Sequence, residues 1–169
     1  ETGLYDTKNG PMFYENMNDL KRNVRDPKNT IVVCHVPRKF DNLETAVDMA
    51  EFGESILDFS YNGDMIKKET VFPLQIAEKL VNQGYPILIK KENRGNKELK
   101  LLYNELGIKK SISGHFHESS HRANDLEGNH VNENTMVEEL FWNSGHLDKR
   151  YTGILTVEDN KISYQNIRF

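Results

Sequence analysis

The alternation of short apolar runs with amphipathic helical patterns is the feature that most constrains the fold. Residues 30–34 (TIVVC) form a β-branched run typical of a buried strand, and 85–89 and 108–113 have the same character. Between them, 74–81 and 97–106 carry apolar residues at helical spacing, and a glycine follows each segment. Strands that alternate with helices predict a layered α/β fold in which helices pack against a sheet.

The last third of the chain predicts antiparallel structure. We expect a strand over 135–141 and a hairpin with arms 151–157 and 161–167. Asp159 and Asn160 between the arms tolerate the backbone of a tight turn. The sequence therefore predicts a mixed sheet with flanking helices and a terminal hairpin that extends the sheet edge, with residues 1–169 forming one unit.

Composition excludes several classes of function. The chain has 169 residues and a net charge of −4, and no run of Lys and Arg reaches five, so a general nucleic-acid coating role is not expected. No apolar stretch approaches the roughly 20 residues that cross a bilayer, and the single Cys34 excludes an internal disulfide framework. We expect a cytoplasmic protein without membrane contact.

The first residue is Glu1, and the residues after it lack the basic start and apolar middle of a signal peptide. We therefore expect the chain to begin inside a longer gene product or after a cloning remnant.

Histidines follow two of the predicted strands. Gly114-His115-Phe116-His117 comes directly after 108–113, and His35 comes directly after 30–34. Ligands gather at the carboxyl ends of strands, so parallel neighbouring strands would bring His35, His115 and His117 together. Three imidazoles suit Zn, Fe or Ni, and Mn with carboxylate help. The alternatives are a surface loop that contains two histidines by chance and a capping or core role for His35.

In this order, Val32-Val33-Cys34-His35-Val36-Pro37 and Gly114-His115-Phe116-His117-Glu118-Ser119 resemble the last two metal-binding motifs of the calcineurin-like metallophosphoesterases. Asn143-Ser144-Gly145 is similar to a turn that such proteins often carry, and the resemblance covers roughly residues 28 to 168. It implies the C-terminal half of a layered metallophosphoesterase-like sandwich.

The resemblance implies a site for two divalent metal ions (Mn, Fe, Zn or Ni) that polarises a phosphate ester and activates a water for in-line attack. Carried over, His35 and His115 would bind the second metal and His117 the first. The family's earlier motifs, Asp-x-His, Gly-Asp and Gly-Asn-His-Asp/Glu, should precede His35, and residues 1–34 contain none of them. Gly63-Asp64 and Gly128-Asn129-His130 come too late in the chain, so both are interpreted as ordinary turns.

Basic side chains near these motifs could bind substrate phosphate. Arg94, in a Gly-containing loop before a helix, is the first candidate, and Arg38, beside His35, is the second. His121 and His146 lie in polar loops, where a solvated histidine is expected, and His121, four residues after His117, is the better candidate to line the pocket and contact substrate phosphate. Most charges at such spacings are simply solvated.

Two classes of function follow. The first is metal-dependent hydrolysis of phosphate mono- or diesters, in which this chain supplies the C-terminal histidine ligands and another half supplies the carboxylates. The second is a catalytically incomplete metal-binding or interaction module, and a mononuclear zinc hydrolase is a third possibility. The expected partners are a phosphate-ester substrate and either the N-terminal half of the domain or a second copy of the chain. A partner is expected because the apolar runs 31–34 and 108–112 are continuous, as in strands covered on both faces.

Overall fold

The computed structural model describes residues 11–169, with side chains from Asn16 onward. The described part has a mixed α/β structure with three α-helices and several separate sheets. It divides into two compact units, one formed by the described residues up to Met49 together with Asn93–Phe169, the other by Ala50–Glu92. The prediction that 1–169 form a single part of a longer domain stays a prediction.

The helices are α1 (Pro11–Asn23), α2 (Leu74–Asn82) and α3 (Lys97–Leu106). The strands are β1 (Val32–Val33), β2 (Met49–Ser55), β3 (Phe59–Tyr61), β4 (Asp64–Ile66), β5 (Val71–Pro73), β6 (Ile87–Asn93), β7 (Lys110–Ser113), β8 (Ala123–Asn124), β9 (Leu140–Asn143), β10 (Tyr151–Glu158) and β11 (Lys161–Arg168).

A four-stranded sheet with the order β1-β7-β9-β8 forms the framework of the first unit. β1 pairs with β7 in parallel, with Val32 opposite Ser111, and β7 pairs with β9 in parallel. β8 closes the sheet as an antiparallel strand beside β9. The strands before His35 and His115 are therefore parallel neighbours, which is the condition under which these histidines were expected to meet.

The helix predicted over 97–106 is confirmed with the same bounds, and its caps explain them. The Asn96 side chain accepts a hydrogen bond from the Leu99 amide at 2.7 Å, and Gly107 ends the helix with φ +74°. Tyr103 on this helix is fully buried in a core cluster with Phe40 and Phe141. The helix therefore packs its apolar side into the core of the first unit.

The terminal hairpin is confirmed, but its expected place at the sheet edge was wrong. β10 and β11 pair only with each other as a two-stranded sheet. Ile162 and Tyr164 are buried in one cluster with Leu140 and Trp142 of β9, so the hairpin packs against the sheet through side chains. A Cβ on Gly153 would lie 2.5 Å from the Trp142 ring, which shows how close this packing is.

The strand expected over 135–141 lies later in the chain, because β9 spans Leu140–Asn143. Val137 instead forms an antiparallel bridge with Ile162 of the hairpin, with its amide and carbonyl bonded to that residue at 2.9 and 2.8 Å. At Val137, the segment before β9 therefore forms backbone hydrogen bonds with the hairpin instead of with the sheet.

The second unit has its own sheet, in the order β5-β2-β6, and a β3-β4 hairpin. The strand expected over 85–89 is β6 of this sheet, so it does not join the framework of the first unit. Gly63 lies in the β3-β4 turn with φ +91°, after Asn62 at φ +52°, which confirms that Gly63-Asp64 marks an ordinary turn. The Gly128 turn likewise has φ +92°.

None of the helices in the described part of the chain is long and apolar enough to span a membrane.

Candidate metal centre

The pairing of β1 with β7 continues beyond the strands and carries two histidines to one edge of the sheet. The Cys34 amide donates to the Ile112 carbonyl at 3.0 Å, and the Gly114 amide donates to the His35 carbonyl at 3.0 Å. His35 and His115 therefore leave neighbouring parallel strands at the same level. This is the position in which open α/β sheets collect ligands.

The two imidazoles meet directly. His115 Nδ1 lies 3.0 Å from His35 Nε2, the ring centroids are 4.9 Å apart, and the planes cross at 76°. His115 has φ +67°, a left-handed conformation that is costly for a residue with a side chain. The left-handed turn therefore lies at His115 and not at the preceding glycine, where a Cβ would meet nothing closer than 3.8 Å.

This nitrogen pair fits a shared metal ion. Two imidazole nitrogens bound at about 2.1 Å lie about 3.0 Å apart at a right angle and about 3.4 Å apart in a tetrahedral site. The observed 3.0 Å equals the separation of the first arrangement, and it is also the length of a hydrogen bond between the two rings. Among the described residues, no group of three His, Cys, Asp or Glu side chains is placed to hold one ion.

His117 pairs with a different histidine. Its exposed ring stacks on His146 with centroids 3.8 Å apart and planes within 9° of parallel. His146 Nδ1 lies 3.2 Å from the Ser120 hydroxyl, which follows His117 by three residues on the same turn. The structure therefore brings together His35 with His115, and His117 with His146. The metal-ligand roles of His35, His115 and His117 stay predictions.

His146 is the residue that sequence reasoning missed, because we expected it to be solvated. Its environment is half-buried, and burial together with the neighbouring His117 lowers its pKa from the ordinary value. The only sequence signal was its position after the Asn143-Ser144-Gly145 turn. That turn does not by itself specify which ring His146 contacts.

His121 lies beside Tyr151, at the far end of this group of rings. The two rings meet edge to face at 4.6 Å, and His121 also has a left-handed backbone with φ +68°. Burial lowers the pKa of His121, and its Nε2 atom is buried with no hydrogen-bond partner among the described residues. Its predicted contact with substrate stays a prediction.

Asn143 ties the two histidine loops together. Its side chain is 1% exposed, and its Nδ2 donates to the Phe116 carbonyl at 2.9 Å. Its Oδ1 accepts from the Gly145 amide at 3.0 Å. One buried amide thus holds the loop of His115 and His117 against the loop of His146.

The basic candidates occupy different environments. Arg38 is 3% exposed, and its guanidinium lies 4.4 Å from the Phe40 ring centroid and 5.0 Å from that of Phe141. Because the Arg38 side chain is buried against these two rings, it is not accessible to a substrate. Arg94, by contrast, is exposed. Arg94 is therefore the one that keeps the exposure a phosphate ligand needs.

Cys34 lies next to His35 but does not offer a ready thiolate. Burial raises the pKa of its thiol to about 11, and its sulfur lies 3.6 Å from the Tyr103 hydroxyl. It is a part of the core rather than a nucleophile at neutral pH.

No protein-family model, curated protein or solved structure matches this chain. A functional proposal for this chain therefore depends on the geometry of its histidines.

Proposed function

We propose that this chain supplies the C-terminal histidine ligands of a binuclear metallophosphoesterase site that hydrolyses phosphate mono- or diesters. The observation that carries the proposal is the 3.0 Å approach of His35 Nε2 to His115 Nδ1 at the ends of adjacent parallel strands. The order of the two histidine motifs, and the turn after them, support it further.

The chain's own residues have distinct tasks in this proposal. His35 and His115 hold one divalent ion, His117 contributes to the second, and Asn143 keeps the loops of these residues in register. When bound, such ions would polarise the phosphate ester and activate water for in-line displacement. Arg94 is the candidate for binding substrate phosphate, because Arg38 is buried.

The missing carboxylates must come from outside this sequence. Asp-x-His occurs nowhere in the 169 residues, so the bridging aspartate that the resemblance implies is absent from this chain. Val33 on β1 is 76% exposed although it lies in a continuous apolar strand. That exposure supports a layered sandwich in which a second half, or a second copy, covers this side of the sheet.

Metal binding by the metal-free protein tests the proposal. Titration with Zn²⁺ in a calorimeter should give a specific site, and His35→Ala or His115→Ala should weaken it by at least about tenfold, because each removes a ligand nitrogen. His130→Ala is the matched control, since His130 is an exposed histidine of the same unit, outside both histidine pairs. Equal affinity in all four proteins would refute the assignment.

The non-enzymatic module remains the second candidate, and one observation favours it. Among the residues that the structure describes, no carboxylate joins the two histidine pairs to complete a three-ligand site. A chain that binds one ion through His35 and His115, and that gains no hydrolytic activity when the protein segment carrying the earlier motifs is added, would be such a module.

A further inference from the structure

His117 is an exposed residue of a short 3-10 turn, His117–Ser119. An imidazole in such a position ordinarily samples several side-chain rotamers, because nothing restricts its two side-chain torsions. Here its ring lies against that of His146, with a centroid separation of 3.8 Å and nearly parallel planes. The stack selects one orientation of the His117 ring.

His146 is itself held on two sides. The Ser120 hydroxyl lies 3.2 Å from its Nδ1, and the Tyr151 ring lies 5.5 Å from its own at an angle of 31°. Because Ser120 is on the same turn as His117, the hydrogen bond fixes His146 relative to the backbone that carries its stacking partner. The turn that carries His117 therefore also helps to hold His146, its stacking partner.

Tyr151 is fixed in turn by the hairpin. The Arg168 guanidinium lies 5.0 Å from the centre of the Tyr151 ring, and His121 packs against the ring edge. A Cβ on Gly145 would stand 2.4 Å from the Tyr151 Cβ, and Gly145 has φ +83°. Only glycine allows the backbone before His146 to come this close to Tyr151.

The stacked geometry excludes joint ligation of one ion by the two rings. An imidazole nitrogen binds a metal in the plane of its own ring, at about 2.0 to 2.1 Å. With planes within 9° of parallel and centroids 3.8 Å apart, an ion in the plane of His117 lies outside the plane of His146. His146 therefore contacts His117 through the face of its ring and does not bind the same ion.

We infer that His146 is a positioning residue, whose ring fixes the orientation of the His117 imidazole, a ligand of the second ion in the proposed function. The metal part of this inference rests on the proposed function, whereas the orienting contact does not. The inference predicts that an aromatic ring face at position 146 is required, and that its packing beside Tyr151 keeps the stack even without the hydrogen bond from Nδ1 to Ser120.

Two substitutions separate the ring from its nitrogens. His146→Phe keeps a stacking face without nitrogen, and His146→Ala removes the face. In the metal-free protein, NMR should show ring-current-shifted His117 ring protons in the wild type and in His146→Phe, with the shift lost in His146→Ala. An unchanged His117 shift in His146→Ala, or its loss in both variants, would overturn the inference.

A Mn²⁺ titration of the same three proteins reports the consequence for metal. The midpoint of Mn²⁺-induced broadening of the His117 ring signals should rise about 2- to 12-fold in His146→Ala, since ordering one side chain is worth about 0.5 to 1.5 kcal/mol, and stay within about twofold in His146→Phe. Equal losses in both variants would make a nitrogen of His146 essential and overturn the positioning role. If Mn²⁺ broadens no His117 signal in the wild type, the metal role of His117 fails, and the metal-free shifts still decide whether His146 positions it.

Discussion

Replacing Asn143 by alanine should loosen the candidate centre as well as destabilise the fold. The substitution removes one of two donors to the Phe116 carbonyl, which keeps the Ser119 amide at 3.1 Å, and leaves the Gly145 amide without its acceptor at 3.0 Å. An unsatisfied buried group costs about 1 to 3 kcal/mol. Because the Phe116 carbonyl keeps its bond to Ser119 and only the half-buried Gly145 amide loses its partner, we expect a total of about 1 to 3 kcal/mol.

For a chain of this length, each kcal/mol lowers the melting temperature by about 2 to 4 °C, so Asn143→Ala should melt about 2 to 12 °C lower. The loop of His115 also loses its tie, and ordering that side chain again on binding should weaken Zn²⁺ affinity by about 2- to 12-fold. Differential scanning calorimetry and metal titration measure the two effects on the same samples.

Asn124→Ala is the matched control for this prediction. Asn124 is fully buried, accepts from the Val47 amide at 2.9 Å and donates to the Asp125 carbonyl at 2.7 Å, so its loss should destabilise the chain similarly. Its hydrogen bonds do not involve the histidine loops, so Zn²⁺ affinity below the melting transition should not change. Equal weakening of Zn²⁺ binding by both variants, or none by Asn143→Ala, would refute the proposed tie between the loops.

Three further predictions concern pH, activity and association. Burial raises the pKa of Tyr164 to about 12, above its ordinary value of about 10, so its stabilising contribution is complete below pH 10 and is lost as the pH rises toward 12. Urea unfolding from pH 9 to 11.5 should therefore show a steeper loss of stability in the wild type than in Tyr164→Phe, and parallel curves would contradict this. The 169-residue chain alone should hydrolyse aryl phosphates and bis-aryl phosphates with Mn²⁺ only at background rates, because the implied carboxylates and acid are missing. Turnover that His115→Ala abolishes would instead mean a complete site within the chain. Sedimentation should reveal concentration-dependent self-association that Val33→Lys reduces, since Val33 is 76% exposed, and a wild-type monomer at every concentration would count against an uncovered sheet.

Local sequence signals predicted the elements that depend on neighbouring residues. The helix over 97–106 has its capping Asn96 and its closing Gly107 written in the sequence, and the hairpin has Asp159-Asn160 at its turn. The parallel pairing that aligns His35 with His115 was also predictable, because both follow buried-type strands. Asn62-Gly63 is also a strong local signal for the β3-β4 hairpin, beyond the ordinary turn predicted at Gly63-Asp64.

Tertiary packing decided what the sequence did not predict. Whether the terminal hairpin pairs with the sheet edge or packs on its face depends on the fit of Gly153 against Trp142, which no local pattern encodes. The stack of His146 on His117 similarly needs the left-handed turn at Gly145 and the fixed ring of Tyr151. These contacts join residues from separate loops, so the spacing of histidines alone could not predict them.

Anomalous diffraction from a crystal soaked in Zn²⁺, recorded on both sides of the zinc absorption edge, tests the central claim most directly. The account predicts a zinc peak about 2.0 to 2.1 Å from both His35 Nε2 and His115 Nδ1, the two nitrogens that now lie 3.0 Å apart. A crystal in which the two rings keep their hydrogen bond, with zinc bound at other residues or not bound, would contradict the assignment of these histidines as metal ligands.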